Sequence, residues 1–231
     1  QGFSIIKYNS GGSTGNYTLS HGMGKTPKFI IHKQLTSGNW WVYHADVIDD
    51  MKKYLQLNST NAVATNSGNM WGASAPTDSV FGVRVGDLIG TSTDAITYLW
   101  ADVPGLQKFG SYIGTGASPN YVHLGFRPAL IIIKNAGTNG SPSNTNNWLI
   151  QDSKRNTFNQ INDTLYPNLA NQEANSSSNF GVDFLSDGFA LRTTGGYASN
   201  SNNASEGHTF IYAAWAEAPS VNLYGGQSNA R

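Results

Sequence analysis

Residues 27–33 read Pro-Lys-Phe-Ile-Ile-His-Lys, and residues 128–134 read Pro-Ala-Leu-Ile-Ile-Ile-Lys. Each segment opens with proline after a glycine-bearing turn, runs through β-branched or aromatic residues, and closes in lysine. Proline lacks an N–H, a loss that costs least at the first residue of a strand. Phe29, Ile30 and Ile31 in succession leave no polar face, which predicts a strand buried on both sides within a layered β structure. The two segments are therefore expected to be the central strands of a repeated unit.

The flanking residues extend the repeat, because further similarities follow in the same order on both sides. Tyr8-Asn9-Ser10-Gly11 is echoed by Tyr112-Ile113-Gly114-Thr115-Gly116, and His21-Gly22-Met23-Gly24 by His123-Leu124-Gly125-Phe126. Asn39-Trp40 answers Asn147-Trp148, and Phe81-Gly82-Val83 answers Phe180-Gly181-Val182. Trp100-Ala101-Asp102-Val103-Pro104 answers Trp215-Ala216-Glu217-Ala218-Pro219. The offset between partners drifts, as it does when insertions fall in loops. The expected fold is an all-β antiparallel β-sandwich, jelly-roll or lectin-like, built from two duplicated halves with little helix. The seam falls near Leu106 to Lys108, giving a first β-rich repeat over 1–107 and a second over 108–231, either as two domains or as one pseudo-symmetric domain.

Asp46 to Tyr54 is the one helix candidate in the first half, with Val47, Met51 and Tyr54 at helical spacing and Asp46, Asp49 and Asp50 placed to complement its dipole. Asn58 to Pro76 reads as a long polar loop that carries Met70 and Trp71. Ser186-Asp187-Gly188 reads as a tight hairpin turn, with Asp-Gly supplying positive φ. Asn135 to Asn147 and Tyr197 to Gly207 are loops of Gly, Ser, Asn and Thr, too polar to build a core. They fit plain spacers, and they also fit a tip rich in neutral hydrogen-bonding groups.

Composition excludes several function classes. Lys plus Arg equals Asp plus Glu at 14 each, so no basic field is present to hold nucleic acid. The absence of cysteine removes disulfides, thiolate metal sites and cysteine nucleophiles. No apolar run reaches the ~20 residues that a membrane helix needs, so no membrane insertion is expected. The chain begins at Gln1 rather than methionine, which reads as a processed product or the ordered part of a longer chain.

Paired carboxylates are the simplest catalytic set for glycans, and Asp152, Asp183 and Glu217 lie on or beside expected strands. A structural role is the favoured reading of them, since Asp102 and several lysines are placed in the same way. His21, His32, His44, His123 and His208 show none of the close pairing of a zinc site, and the recurrence of His21 and His123 points to a shared fold constraint. No metal and no cofactor are expected. Most aromatic residues must be core, Trp100 and Trp215 among them. Trp71 has no counterpart in the other half and sits in the polar loop, which makes it the leading candidate for an exposed ligand-binding platform. Met70 beside it and Trp41, whose neighbour Trp40 must point to the opposite face of a strand, complete the candidate ligand-binding set.

With these residues in view, the chain resembles a duplicated β-rich module of tailed-bacteriophage virion proteins, common at the C-terminal end of tail fibres. The resemblance rests on Asn147-Trp148, Asp152-Ser153-Lys154-Arg155-Asn156, Leu165-Tyr166-Pro167-Asn168, Val182-Asp183-Phe184-Leu185-Ser186-Asp187-Gly188-Phe189 and Tyr212-Ala213-Ala214-Trp215-Ala216-Glu217-Ala218-Pro219. In the first half it rests on Gly2-Phe3-Ser4-Ile5, His21-Gly22, Ala75-Pro76-Thr77 and Ser79-Val80-Phe81. Asn229-Ala230-Arg231 resembles the usual end of such proteins. The resemblance implies a β-rich structural or adhesive part of a virus particle, with no catalytic residues to carry over; the expected location is the particle exterior, after assembly in the host cytoplasm. The leading expectation is a tail-fibre or receptor-binding adhesin that contacts a host-surface glycan or protein. Its expected partners are other virion proteins and other copies of itself, most simply as a trimer. A head decoration or other virion building block is the first alternative, and a glycan depolymerase the second.

Overall fold

The computed structural model describes residues 2–137, 147–193, 202–203 and 206–217. Most of the loop expectations over 135–147 and 197–207, and the C-terminal Asn229-Ala230-Arg231, lie outside these residues. The chain divides into two compact units, Gln1–Asp102 and Val103–Arg231, so Gln107, expected to close the first half, belongs to the second unit. Every strand pair is antiparallel.

The first unit comprises β1 (Phe3–Asn9), β2 (Gly15–Ser20), β3 (Phe29–Gln34), β4 (Trp40–His44), β5 (Lys53–Gln56), β6 (Ala64–Thr65), β7 (Val80–Val85) and β8 (Asp94–Trp100). A six-stranded sheet runs β1-β8-β3-β4-β5-β6, and β2 pairs with β7 in a second sheet. Ile30, Tyr43 and Leu99 from the first sheet meet Phe81 and Val83 from the second in one buried cluster. That is the packing of a β-sandwich. The apolar run of β3 is buried on both faces, with Ile30 and His32 turned to the core and Phe29 to the other side.

The second unit comprises β9 (Gln107–Ile113), β10 (Asn120–His123), β11 (Pro128–Gly137), β12 (Leu149–Asp152), β13 (Asp163–Thr164), β14 (Ala174–Asn175), the short helix α1 (Ser177–Phe180), β15 (Val182–Leu185), β16 (Gly188–Leu191), β17 (Asn202–Asn203), β18 (Glu206–Gly207) and β19 (Thr209–Ala216). Its larger sheet runs β12-β11-β19-β9, its smaller one β10-β16-β15, and β13-β14 and β17-β18 form two-stranded ribbons. Ile131, Ile133, Phe210 and Tyr212 from the larger sheet pack with Val122, Phe184 and Phe189 from the smaller.

The order β1-β8-β3-β4 in the first unit matches β9-β19-β11-β12 in the second. Trp100 lies opposite Phe29 and Trp215 opposite Leu130, in each case two residues past the proline of the opening segments. Strand pairing shifts two of the residue matches. Phe81 faces Leu19 on β2, and the residue facing Val122 on β10 is Phe189, not Phe180. The His21 N–H donates to Ser79 O, while the matching donation to Asp187 O comes from Leu124. A positive-φ glycine follows each, Gly22 at 68° and Gly125 at 84°, then a core residue, Met23 and Phe126. His21 is buried and His123 exposed, so no shared constraint links the two histidines.

Three further expectations are corrected. Residues 46–52 form turns, and Lys53 onward is β5 rather than helix. Asp50 Oδ1 accepts the Lys52 N–H, and the Met51 carbonyl accepts from Met70 and Trp71 instead of from a helical turn; local aspartate bonding competes with helix formation here. Trp100 and Trp215 are half-buried on the sheet faces turned away from the inter-sheet cores, Trp100 against Phe3 at 5.0 Å and Phe29 at 5.5 Å, and Trp215 against Phe109 at 5.6 Å. The β15–β16 hairpin closes through Ser186-Asp187 as expected, yet none of its residues has positive φ. Gly188 is needed for room, since a Cβ there would lie 2.1 Å from Val122 O.

Candidate functional site

Of the three residues expected to bind ligand, Trp71 and Met70 are not at the surface. Each is 1% exposed. The Trp71 indole Nε1 donates to Lys53 O at 3.0 Å, and its ring meets Tyr43 edge-on at 5.5 Å. The stretch from 66 to 72 folds back onto the sandwich through the bonds to Met51 O and through the Arg84 N–H, which donates to Met70 O. Burial of a large aromatic ring and a thioether drives this return, and Gly72, at φ +75°, crosses against Gly82 where a Cβ would come within 2.8 Å of backbone. The exposed-platform expectation for Trp71 and Met70 is therefore overturned. Trp41 is half-buried on β4, edge-on to Tyr54 at 5.0 Å, and packs against the same core. Trp40, pointing to the other face, is the more exposed of the pair.

Each carboxylate that the sequence put forward is held by an arginine. Asp152 Oδ2 accepts from Arg155 Nε at 2.6 Å, and its Oδ1 accepts the backbone N–H groups of Lys154 and Arg155. Burial pushes the Asp152 carboxyl up, but these donors together outweigh it and keep the group below the usual carboxylate range. Arg155 also reaches Glu173 at 3.0 Å and Ile150 O at 2.8 Å, so it ties the loop after β12 together. Glu217 accepts from Arg127 at 2.9 Å, and Asp183 lies 3.4 Å from Arg192. No group of three or more acidic or histidine side chains could hold a metal among the described residues.

Two buried basic groups occupy strands of like position. On β3, His32 is fully buried, its Nδ1 is 2.9 Å from Thr97 Oγ1, and burial, reinforced by Lys33, lowers its pKa to about 3. On β11, Lys134 is fully buried as well, and burial pushes its ammonium down to about 7. Lys33, the residue that closes the first opening segment, stays partly exposed and donates to Gln34 O and Thr36 O.

The side chains offered to solvent are on other elements. Phe158 is 83% exposed and Tyr121 on β10 is 67% exposed. Phe158 stands between two asparagines with fixed positions. Asn156 Oδ1 accepts from the N–H groups of Asn162 and Asp163, and its Nδ2 donates to Asp163 at 2.8 Å. Asn159 exchanges two bonds with the backbone of Phe184, much as a neighbouring strand would. Sequence reading overlooked Phe158. The asparagines on either side were a signal for it, because they are the residue type that imitates backbone pairing.

A family model spans residues 1–219. The chain belongs to DUF7483, a domain of unknown function. No curated protein and no solved structure matches it. The DUF7483 region thus takes in the first unit and all of the second except residues 220–231.

Proposed function

We propose that this DUF7483 chain is a non-enzymatic bacteriophage virion protein of the tail-fibre or receptor-binding type. It acts on the particle exterior, as a homo-oligomer, by contact with a host-surface glycan or protein. The observation that carries the reading is Phe158, an aromatic side chain held out to solvent by a hydrogen-bonded loop. Because the loop is already ordered, contact there costs little further entropy, and aromatic residues in such positions dominate binding energy. Weak contacts of this kind gain about 10² to 10⁴ in avidity when several copies act together. The resemblance of the sequence to tailed-phage virion modules supports the same reading.

The test is adsorption of the purified chain to host cells, with competition against phage. Phe158→Ala should weaken adsorption about tenfold, equivalent to ~1.4 kcal/mol, with thermal stability unchanged. Absence of both binding and competition by the unsubstituted chain would sink the proposal.

A second reading, a virion building block without a receptor, draws support from the outer face of the first unit's larger sheet. There Phe3 and Ile5 are exposed beside Tyr98 and Trp100, an apolar strip suited to contact with other virion proteins. Imaging of the particle separates the two readings, since a copy number matching the capsid lattice excludes a receptor fibre.

A further inference from the structure

The inward faces of β8 and β19 differ sharply in bulk. In the first unit the cross-strand row Ile6, Thr97, His32 is followed by the row Tyr8, Ala95, Gln34. The corresponding rows of the second unit are Gly110, Tyr212, Ile133 and then Tyr112, Phe210, Asn135. Two aromatic rings, Tyr212 and Phe210, thus stand where the first unit has Thr97 and Ala95. Gly110 makes way for one of them, because a Cβ there would come within 2.5 Å of the Tyr212 hydroxyl. The first unit has smaller side chains at these positions: Ala95 packs against Val85, Ile89 and the Tyr8 ring, and the polar groups of Tyr8, His32 and Thr97 come together beside it.

Two of those groups lack a protein partner. His32 Nε2 and Tyr8 Oη are both completely enclosed and make no hydrogen bond. The Thr97 hydroxyl stands near enough to the Tyr8 phenol to oppose the upward shift that burial imposes on it, but its well-formed hydrogen bond is to the other nitrogen of His32. The two rings are 6.1 Å apart between centroids. An enclosed donor or acceptor left unpaired loses its bonds to water with nothing in return, so native proteins satisfy nearly all of them, with ordered water where no side chain serves.

We propose that the first unit holds an internal water between Tyr8 Oη and His32 Nε2, beside Thr97, where the second unit has the larger Tyr212. The water gives both atoms a partner and completes a chain Tyr8, water, His32, Thr97. Whichever way the protons are arranged, each member of the chain can donate at one end and accept at the other. The second unit, with Ile133 in the place of His32, needs no such water.

A crystal structure that shows ordered solvent tests this directly. The expected result is a water within about 3 Å of both atoms and none at the corresponding place in the second unit. Direct contact of Tyr8 Oη with Nε2, or a dry space between them, would overturn it. Stability of Tyr8→Phe supplies an independent reading. If the water is present, the variant deprives it of a partner and lowers the unfolding midpoint by about 2–4 °C. If the hydroxyl is an unpaired group in a dry space, the same change leaves the midpoint unaltered or raises it, and the proposal fails.

Discussion

Trp71 shows how far residue type alone carries a reading. An unrepeated tryptophan in a polar loop suggests a surface platform, but its indole N–H finds the Lys53 carbonyl and its ring finds Tyr43. Trp71→Ala is therefore expected to destabilise the first unit by ~3–5 kcal/mol, measured by urea unfolding, and unaltered stability would contradict its burial. His32 gives a second expectation, in pH. Its folded pKa of about 3 lies below the unfolded value of 6.5, so between those values the unfolded chain binds a proton that the folded one refuses. Stability from this residue is complete above pH 6.5 and declines as pH falls, by ~3 kcal/mol at pH 4. His32→Ile, which copies Ile133, should flatten that part of the pH profile. An equally steep profile in the variant would assign the effect to other groups.

At the scale of elements, the strands were legible and the returns between them were not. Runs such as Phe29 to Ile31 announce a doubly buried strand because nothing else satisfies so many large side chains. Residues 46–54 carried an equally fair helical spacing, yet the pairing of Trp41 with Gln56 and Val42 with Leu55 draws that segment into the sheet. Such long-range pairing leaves no local trace. Phe158 is legible only in part: the asparagines beside it are a local mark of a loop that imitates backbone pairing, but the partner of Asn159, Phe184, lies 25 residues away. The close approach of Tyr212 to Gly110 can itself be tested. Gly110→Ala should destabilise the second unit by ~1–3 kcal/mol through overpacking against Tyr212. Adding Tyr212→Thr, after Thr97, should recover part of that loss in a double-mutant cycle. Strict additivity of the two changes would show that a side chain at 110 does not meet Tyr212.

Over the whole molecule, equal numbers of acidic and basic residues and an abundance of neutral hydrogen-bonding side chains leave contact rather than charge as the basis of the recognition we propose. The sandwich class was legible throughout, because alternating and doubly buried runs recur along the chain. The site was not, because it depends on which loops are pinned and which are folded inward, and that is settled by packing across the sheets.

The crossing of Gly72 over Gly82 bears on how this protein can be altered. Two backbones meet there with no side chain between them, so the length of chain from β6 to Gly72 is set by contact. An epitope or affinity tag inserted within 66–72 would break the return that brings the two glycines together. Residues 59–63 bear no such crossing, so new sequence can be grafted there without disturbing it.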